Sequence, residues 1–419
     1  MVVPHAARIV AALVGVLLVG TSAWSVIGTL IVPRSVSSWL TKHVDQLVNF
    51  AFICATASVR TSGGRKYLRT RPGARYVTSP DDGTGKVPMH SPDEVAFHRR
   101  DRILAAQAAT LLISQLAAWL CIFFVGFSLI FWPFVHGGIT NAFAEAGPGL
   151  WQIGEDRARG GFEQAILDVA TLTSVVTITL LIAYLPTLYT EFNRRENEVA
   201  LLVARGGVPC WGPELLARTQ YALGTGTSTI NTLPDLFANW ERWAAELAES
   251  HTTYLPLVRF RSPKPLSSWV TALLAVLDAA ALMLALNPES APTVAARLCL
   301  RAGFTCFGDI ARAMGHDIPV EADPDGTISL TYDDFLAAIA RLDEVGFQPE
   351  RSPEEAWPDF VGWRLNYERA AYAIAWDVDA VPAYWSGPRR HKNTRPIPPR
   401  RPPTGRPPDG DGKKRVISI

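Results

Sequence analysis

A chain of 419 residues with 48% hydrophobic residues and a formal net charge of +1 is long enough for a membrane unit plus one further domain. Near-neutral charge and high apolar content leave lipid as the expected environment; no nucleic-acid partner is expected. The five cysteines are odd in number and form no CxxC pair, which argues against a disulfide framework or a zinc site and for small buried apolar thiols.

Ile9 to Pro33 is the first charge-free run. It suffices for a membrane helix, which needs about 20 apolar residues. His5, Arg8 and "TSA" at 21–23 allow a signal-peptide reading, but the apolar run continues past Trp24 to Val32, which favours an uncleaved span. Residues 34–102 then carry twelve Lys or Arg. Turn signals such as "RPGAR" and "SPDDGTGKVP" crowd this loop. Ile103 to Val135 is the second charge-free run, too long for an upright span, so it must tilt or project. The segment 136–162 separates it from the third, Val169 to Thr190, in which Pro186 is a candidate kink. Residues 133–162 hold only Arg157 and Arg159, whereas Arg194 and Arg195 follow the third run. Basic residues beside spans stay cytoplasmic. The expected orientation is therefore N-terminus outside, 34–102 inside, 136–162 outside and the C-terminal half inside.

Beyond the third run, "YTEFNRRENEVALLVARGG" keeps apolar residues at Phe192, Val199, Leu202 and Val203, so the helix should run on until Gly206 and Gly207. Helical segments follow at about 213–224, 234–250, 266–287, 291–315, 332–346 and 353–380, several opened by proline or a capping residue. "GTISLTY", 326–332, reads as a short strand or turn. The stretch 266–287 is apolar apart from Asp278 and reads as the buried central helix of a soluble domain; a fourth span is the alternative. Residues 386–419 hold eight Pro and ten Lys or Arg and should be a disordered tail. A solvated tail is the plain reading, with anionic lipid headgroups or a proline-motif partner as alternatives.

The expected fold is all-α: three transmembrane helices, then a cytosolic α-helical domain and a disordered tail. The expected divisions are 1–33, 34–102, 103–192, 193–385 and 386–419. No phosphate-binding glycine loop, GxSxG or HExxH occurs, so no enzyme, cofactor or metal is expected. Glu246, Glu249 and His251 lie close together but read as a helix end with a His near its C-terminal dipole. Cys299 and Cys306 have core spacing, and Trp240 and Trp243 read as core. In the third run Thr171, Thr173, Ser174, Thr177 and Thr179 form a hydroxyl-rich stretch below Asp168. Asp168, Thr173 and Thr177 are candidate pore-lining residues; packing between helices is the competing reading.

The runs "LLIAYLPTLYTEFNRRENEVALLVARGG", "WERWAAELAESHTTYLPLVRFRSP" and "SSWVTALLAVLDAAAL", with "VIGTLIVPRSVS" and "CLRAGF", resemble a family of actinobacterial membrane proteins of uncharacterised function. The resemblance covers most of residues 24–315. Many members of that family look like two-helix pore channels, with a segment of the type "SGSSLFTLGF" before the last span. The resemblance places "AGPGLWQIGE" at that segment and implies a bacterial plasma membrane. Gly147 and Gly154 keep their places, but Thr-Leu-Gly-Phe becomes Gln152, Ile153, Gly154 and Glu155. A potassium filter needs a Thr-x-Gly-x-Gly run, so potassium selectivity is not expected. The candidate pore loop is Gly147, Gln152, Gly154, Glu155 and Asp156, in which the two carboxylates would form a cation-favouring ring. The sequence leaves this pore, in a homo-oligomer, against a plain outside loop in a non-conducting membrane scaffold, and the degenerate filter favours the loop.

Overall fold

The computed structural model describes residues 5–32, 38–57, 76–77, 87–88, 99–135, 138–151, 161–220, 229–264 and 266–390. Among the described residues the fold is all-α apart from one short antiparallel ladder, in which Tyr76 pairs with Pro88 and Val77 with Val87. The helices are α1 (His5–Leu30), α2 (Trp39–Ala57), α3 (Gln107–Phe131), α4 (Ile139–Trp151), α5 (Gly161–Gly206), α6 (Gly212–Arg218), α7 (Leu233–Thr253), α8 (Trp269–Leu286), α9 (Thr293–Ala313), α10 (Tyr332–Asp343), α11 (Pro353–Arg364) and α12 (Glu368–Asp377). Among the described residues four helices, not the expected three, are long and apolar enough to cross a membrane: α1, the rod Arg99–Phe131 that contains α3, α5 and α8. The chain forms two compact units. One comprises Met1–Asn197, Ala245–Pro265 and Cys306–Ile318, the other Glu198–Ala244, Leu266–Thr305 and Pro319–Ile419.

In the first unit α1 and α3 run antiparallel. Arg8 donates to the Val135 carbonyl at 3.5 Å and Trp119 Nε1 to Ser25 Oγ at 3.0 Å. Between these ties Gly15 meets Gly126 so closely that a Cβ on Gly15 would lie 2.5 Å from the Gly126 carbonyl oxygen. Only glycine lets the two backbones approach this far. The segment 34–102, read as a basic loop, contains the 19-residue helix α2. It lies beside the early turns of the α3 rod, where Gln107 donates to Asn49 at 3.1 Å and Arg100 to the Thr56 carbonyl at 2.8 Å. The reason is amphipathicity: Asp45, Asn49 and Thr56 face the protein while Trp39, Leu47 and Phe50 face out. Helix α5 runs unbroken through Pro186.

In the second unit every residue of α8 is buried. Asp278 accepts hydrogen bonds from Arg364 and, at 2.8 Å, from Tyr367. Arg364 also donates to Glu368 at 2.6 Å and to the Trp385 carbonyl at 2.6 Å. This network explains why the expected helix 353–380 is two helices: the break at 365–367 lets Arg364 and Tyr367 both reach Asp278. A second buried pair joins Arg341 to Glu214 at 2.9 Å. Gly212 of α6 sits against α8, where a Cβ would lie 2.6 Å from that of Asp278. Capping boxes at Thr331 and Ser352 start α10 and α11. Residues 326–332, read as a strand or turn, form no strand, and Tyr332 already opens α10.

Residues 386–390, read as the start of the tail, belong to the second unit. Arg389 is buried and donates to the carbonyls of Ala380 at 2.8 Å and Ser386 at 2.7 Å, so 386–390 are built into the unit. Residues 391–419 lie outside the described residues. Of the thiols read as buried, Cys54 and Cys121 are exposed on α2 and α3. Cys210, Cys299 and Cys306 are buried, and burial pushes the Cys210 thiol up to about 12, which leaves it inert.

Candidate functional site

The segment between the second and third apolar runs is a helix over most of its described length. In α4, Ala142, Ala146 and Leu150 recur at four-residue intervals and form one buried edge. The two alanines let this edge approach its neighbours closely. Pro148 sits in the last turn, where its missing N–H costs the helix a single internal bond.

The contacts give the direction of α4. Its first half packs with Phe131 at the end of α3 and Leu167 near the start of α5. Its last turn packs deeper, with Leu150 against Trp119, Phe123, Phe127 and Ala170. Between them Phe143 meets Phe124 edge-on, with centroids 5.3 Å apart. The helix therefore enters between α3 and α5 from the end where α3 finishes and α5 begins. It descends along both. At its tip Ser174 Oγ donates to the Leu150 carbonyl at 2.8 Å, satisfying one of the last-turn carbonyls that a helix leaves open. Ser174 is thirteen residues along α5 from Gly161, about 20 Å of helix axis.

Of the candidate pore-loop residues, Gly147 lies half-buried in α4, with Phe124 across from it. Gln152, Gly154, Glu155 and Asp156 lie outside the described residues. Asp168 is exposed and accepts a hydrogen bond from Gln164 at 2.9 Å. Thr173 and Thr177 return their hydroxyls to their own helix, to the carbonyls of Val169 and Thr173, both at 2.7 Å. Within that stretch Ser174 is the hydroxyl that reaches another helix.

A second constellation, not anticipated from the sequence, lies where α7 ends. After Thr253 the chain forms a short 3-10 helix, Leu255–Arg259. Leu257 is fully buried among Leu112 of α3 and Leu181, Tyr184 and Leu188 of α5. Arg195 of α5 is buried and donates to the carbonyls of Leu257 at 2.9 Å and Phe260 at 2.7 Å, and to Glu196 at 2.9 Å. Its remaining partner is His251 Nε2, at 3.1 Å. Because the guanidinium can only donate, His251 is neutral with its proton on Nδ1, towards Ser250 Oγ at 3.0 Å. Burial, with Arg195 alongside, holds His251 well below the usual histidine range. Arg259 forms a two-pronged pair with Asp45 of α2, at 2.8 and 2.9 Å. Arg261 pairs with Asp101 at the head of the α3 rod. One legible signal existed: Arg195 falls on the apolar line of Phe192, Val199 and Leu202. Glu246, read as a neighbour of His251, instead pairs with Arg194 at the surface at 2.6 Å.

Among the described residues no three His, Cys, Asp or Glu side chains are grouped to hold a metal ion. Comparison with protein-family models, with curated proteins and with solved structures finds no match.

Proposed function

We propose that the protein is a channel-like integral membrane protein in which α3, α4 and α5 form the pore unit of a homo-oligomer. The observation that carries this reading is α4, a short helix that descends between two span-length helices and ends far from where it entered. Non-helical backbone is tolerated at that depth only where it is buried in protein or lines a water-filled cavity. A helix that descends part-way between two spans is one way to build such a cavity between subunits. In this reading Gln152, Gly154, Glu155 and Asp156, which follow α4 in the sequence, are the pore residues. The two carboxylates select cations, and the lack of a Thr-x-Gly-x-Gly run removes potassium selectivity. Helices α1, α3 and α5 cross the plasma membrane of a bacterium with the N-terminus outside, as the basic segments require. The second unit is cytosolic, with α8 as its core, and the basic tail leans on anionic headgroups.

The test is cation flux through the full-length protein in liposomes. Flux should be present and should fall in a variant carrying Glu155→Gln with Asp156→Asn. Unchanged flux in that variant would remove the acidic ring. A monomer without flux would favour the alternative, a non-conducting membrane scaffold that acts through its helical second unit.

A further inference from the structure

The segment Tyr254–Arg261 joins elements that are far apart in the chain. It is the direct continuation of α7, a helix that begins in the second unit and ends in the first. Three groups on it face three different helices. Leu257 fills the gap between α3 and α5. The Leu257 and Phe260 carbonyls take the buried Arg195 of α5. Arg259 and Arg261 reach Asp45 of α2 and Asp101 of the α3 rod. Aromatic contacts back these ties on the α5 side: Tyr254 meets Tyr184 edge-on, and Phe260 meets Phe192, with centroids 5.5 and 5.6 Å apart.

The two kinds of contact differ in how readily they break. Arg195 is wholly buried and each of its nitrogens has a partner, so its bond to the segment is permanent. The two carboxylates are partly open to water, at 34% and 17% side-chain exposure for Asp45 and Asp101. Their arginines are more covered, at 9% and 10%, so Asp45–Arg259 is the more solvated pair and the first to exchange with water. The segment is thus fixed to α5 and releasable from α2 and α3.

We propose that Tyr254–Arg261 is a gating strap: fixed to α5 through Arg195, it sets the separation of α3 and α5 and opens the pore when its ion pairs with Asp45 and Asp101 let go. This rests on the pore reading above. Release of these pairs would let the α3 rod move away from Leu257, which stays with Arg195 on α5. Arg259 and Arg261 are positioning residues, since they touch no ion path.

The experiment records the full-length protein in planar bilayers. Arg259→Gln and Asp45→Asn should each change open probability roughly fivefold, the shift a partly solvated ion pair makes in a two-state equilibrium. Unitary conductance should not change. The exchanged pair Asp45→Arg with Arg259→Asp should return open probability towards wild type, and Arg194→Gln should leave it unaltered. Conducting variants with wild-type open probability would overturn the strap, as would a change in unitary conductance alone. If the wild type does not conduct, the pore reading fails and the strap is judged by a second readout. A spin label on Cys54 of α2, with Cys121→Ser, should gain mobility in Arg259→Gln and lose it again in the exchanged pair. An unchanged spectrum would overturn the strap independently of conduction.

Discussion

Helix α8 and three helices of the first unit, α1, the α3 rod and α5, are equally apolar in their most apolar stretches, yet they use that character in opposite ways. The most apolar window of α8 is 100% buried within the protein, against 22% for α1, 39% for the α3 rod and 28% for α5. The exposed side chains of α1 include Leu13, Leu17 and Trp24, and those of α5 include Val169, Leu172 and Ile182. In α8 there is no such face, and its single charge is matched by Arg364 and Tyr367 inside the unit. Apolar length alone does not distinguish a helix that faces lipid from one that faces protein. What distinguishes them is whether the rest of the chain supplies a surface for every side of the helix.

The sharpest way to break this contrast is to remove the partner of Asp278. Arg364→Met leaves Asp278 and Glu368 buried without their cation, which should cost about 3–5 kcal/mol and abolish cooperative unfolding of the second unit. A thermal melt that hardly moved would mean that α8 does not depend on that network. Next in size is a charge on the outward face of α1. Leu17→Lys should make membrane insertion of α1 less favourable by about 2.5–3.5 kcal/mol, read in a translocon insertion assay. Normal insertion would mean that this face does not meet lipid.

A smaller effect is expected where α6 meets α8. Gly212→Ala brings a Cβ to 2.6 Å from that of Asp278 and 2.9 Å from the Ala275 carbonyl oxygen. Overpacking of this kind costs about 1–3 kcal/mol and should lower the melting temperature of the second unit. The smallest effect concerns the buried histidine of the first unit. His251 is held neutral in the fold, whereas the unfolded chain takes up a proton below the ordinary value of 6.5. As pH falls from 6.5 the unfolded state therefore binds more protons, and stability should decline by up to ~1.4 kcal/mol per pH unit until His251 itself titrates. The difference between wild type and His251→Gln should show that slope; identical pH profiles would place His251 in solvent.

The same contrast marks what the sequence made legible. Charge-free runs gave α1, α3 and α5 directly, the apolar stretch around Asp278 gave α8, and capping residues gave the starts of α10 and α11. Helix α2 was hidden because Lys42, His43 and Asp45 interrupt its apolar pattern in a segment dominated by basic residues and turn formers. Helix α4 was hidden because Gly147, Pro148 and Gly149 are turn formers by propensity, and packing against α3 and α5 overrides them. Of the strap only the buried position of Arg195 was legible. The strap's ion pairs join residues 214 and 160 positions apart, and no local periodicity records such a pairing. Of the candidate pore residues, Asp168, Thr173 and Thr177 were chosen for their chemistry. Their neighbour Ser174 makes the inter-helix bond because it sits one residue further round, on the buried side.

The most direct test of the pore account is the mass of the detergent-solubilised full-length protein with bound detergent subtracted. Two pore helices and one descending helix per subunit cannot enclose an axis alone. The account predicts four copies, or an equivalent closed ring. A monomer or dimer would contradict it and leave the descending helix as a packing element of a non-conducting protein.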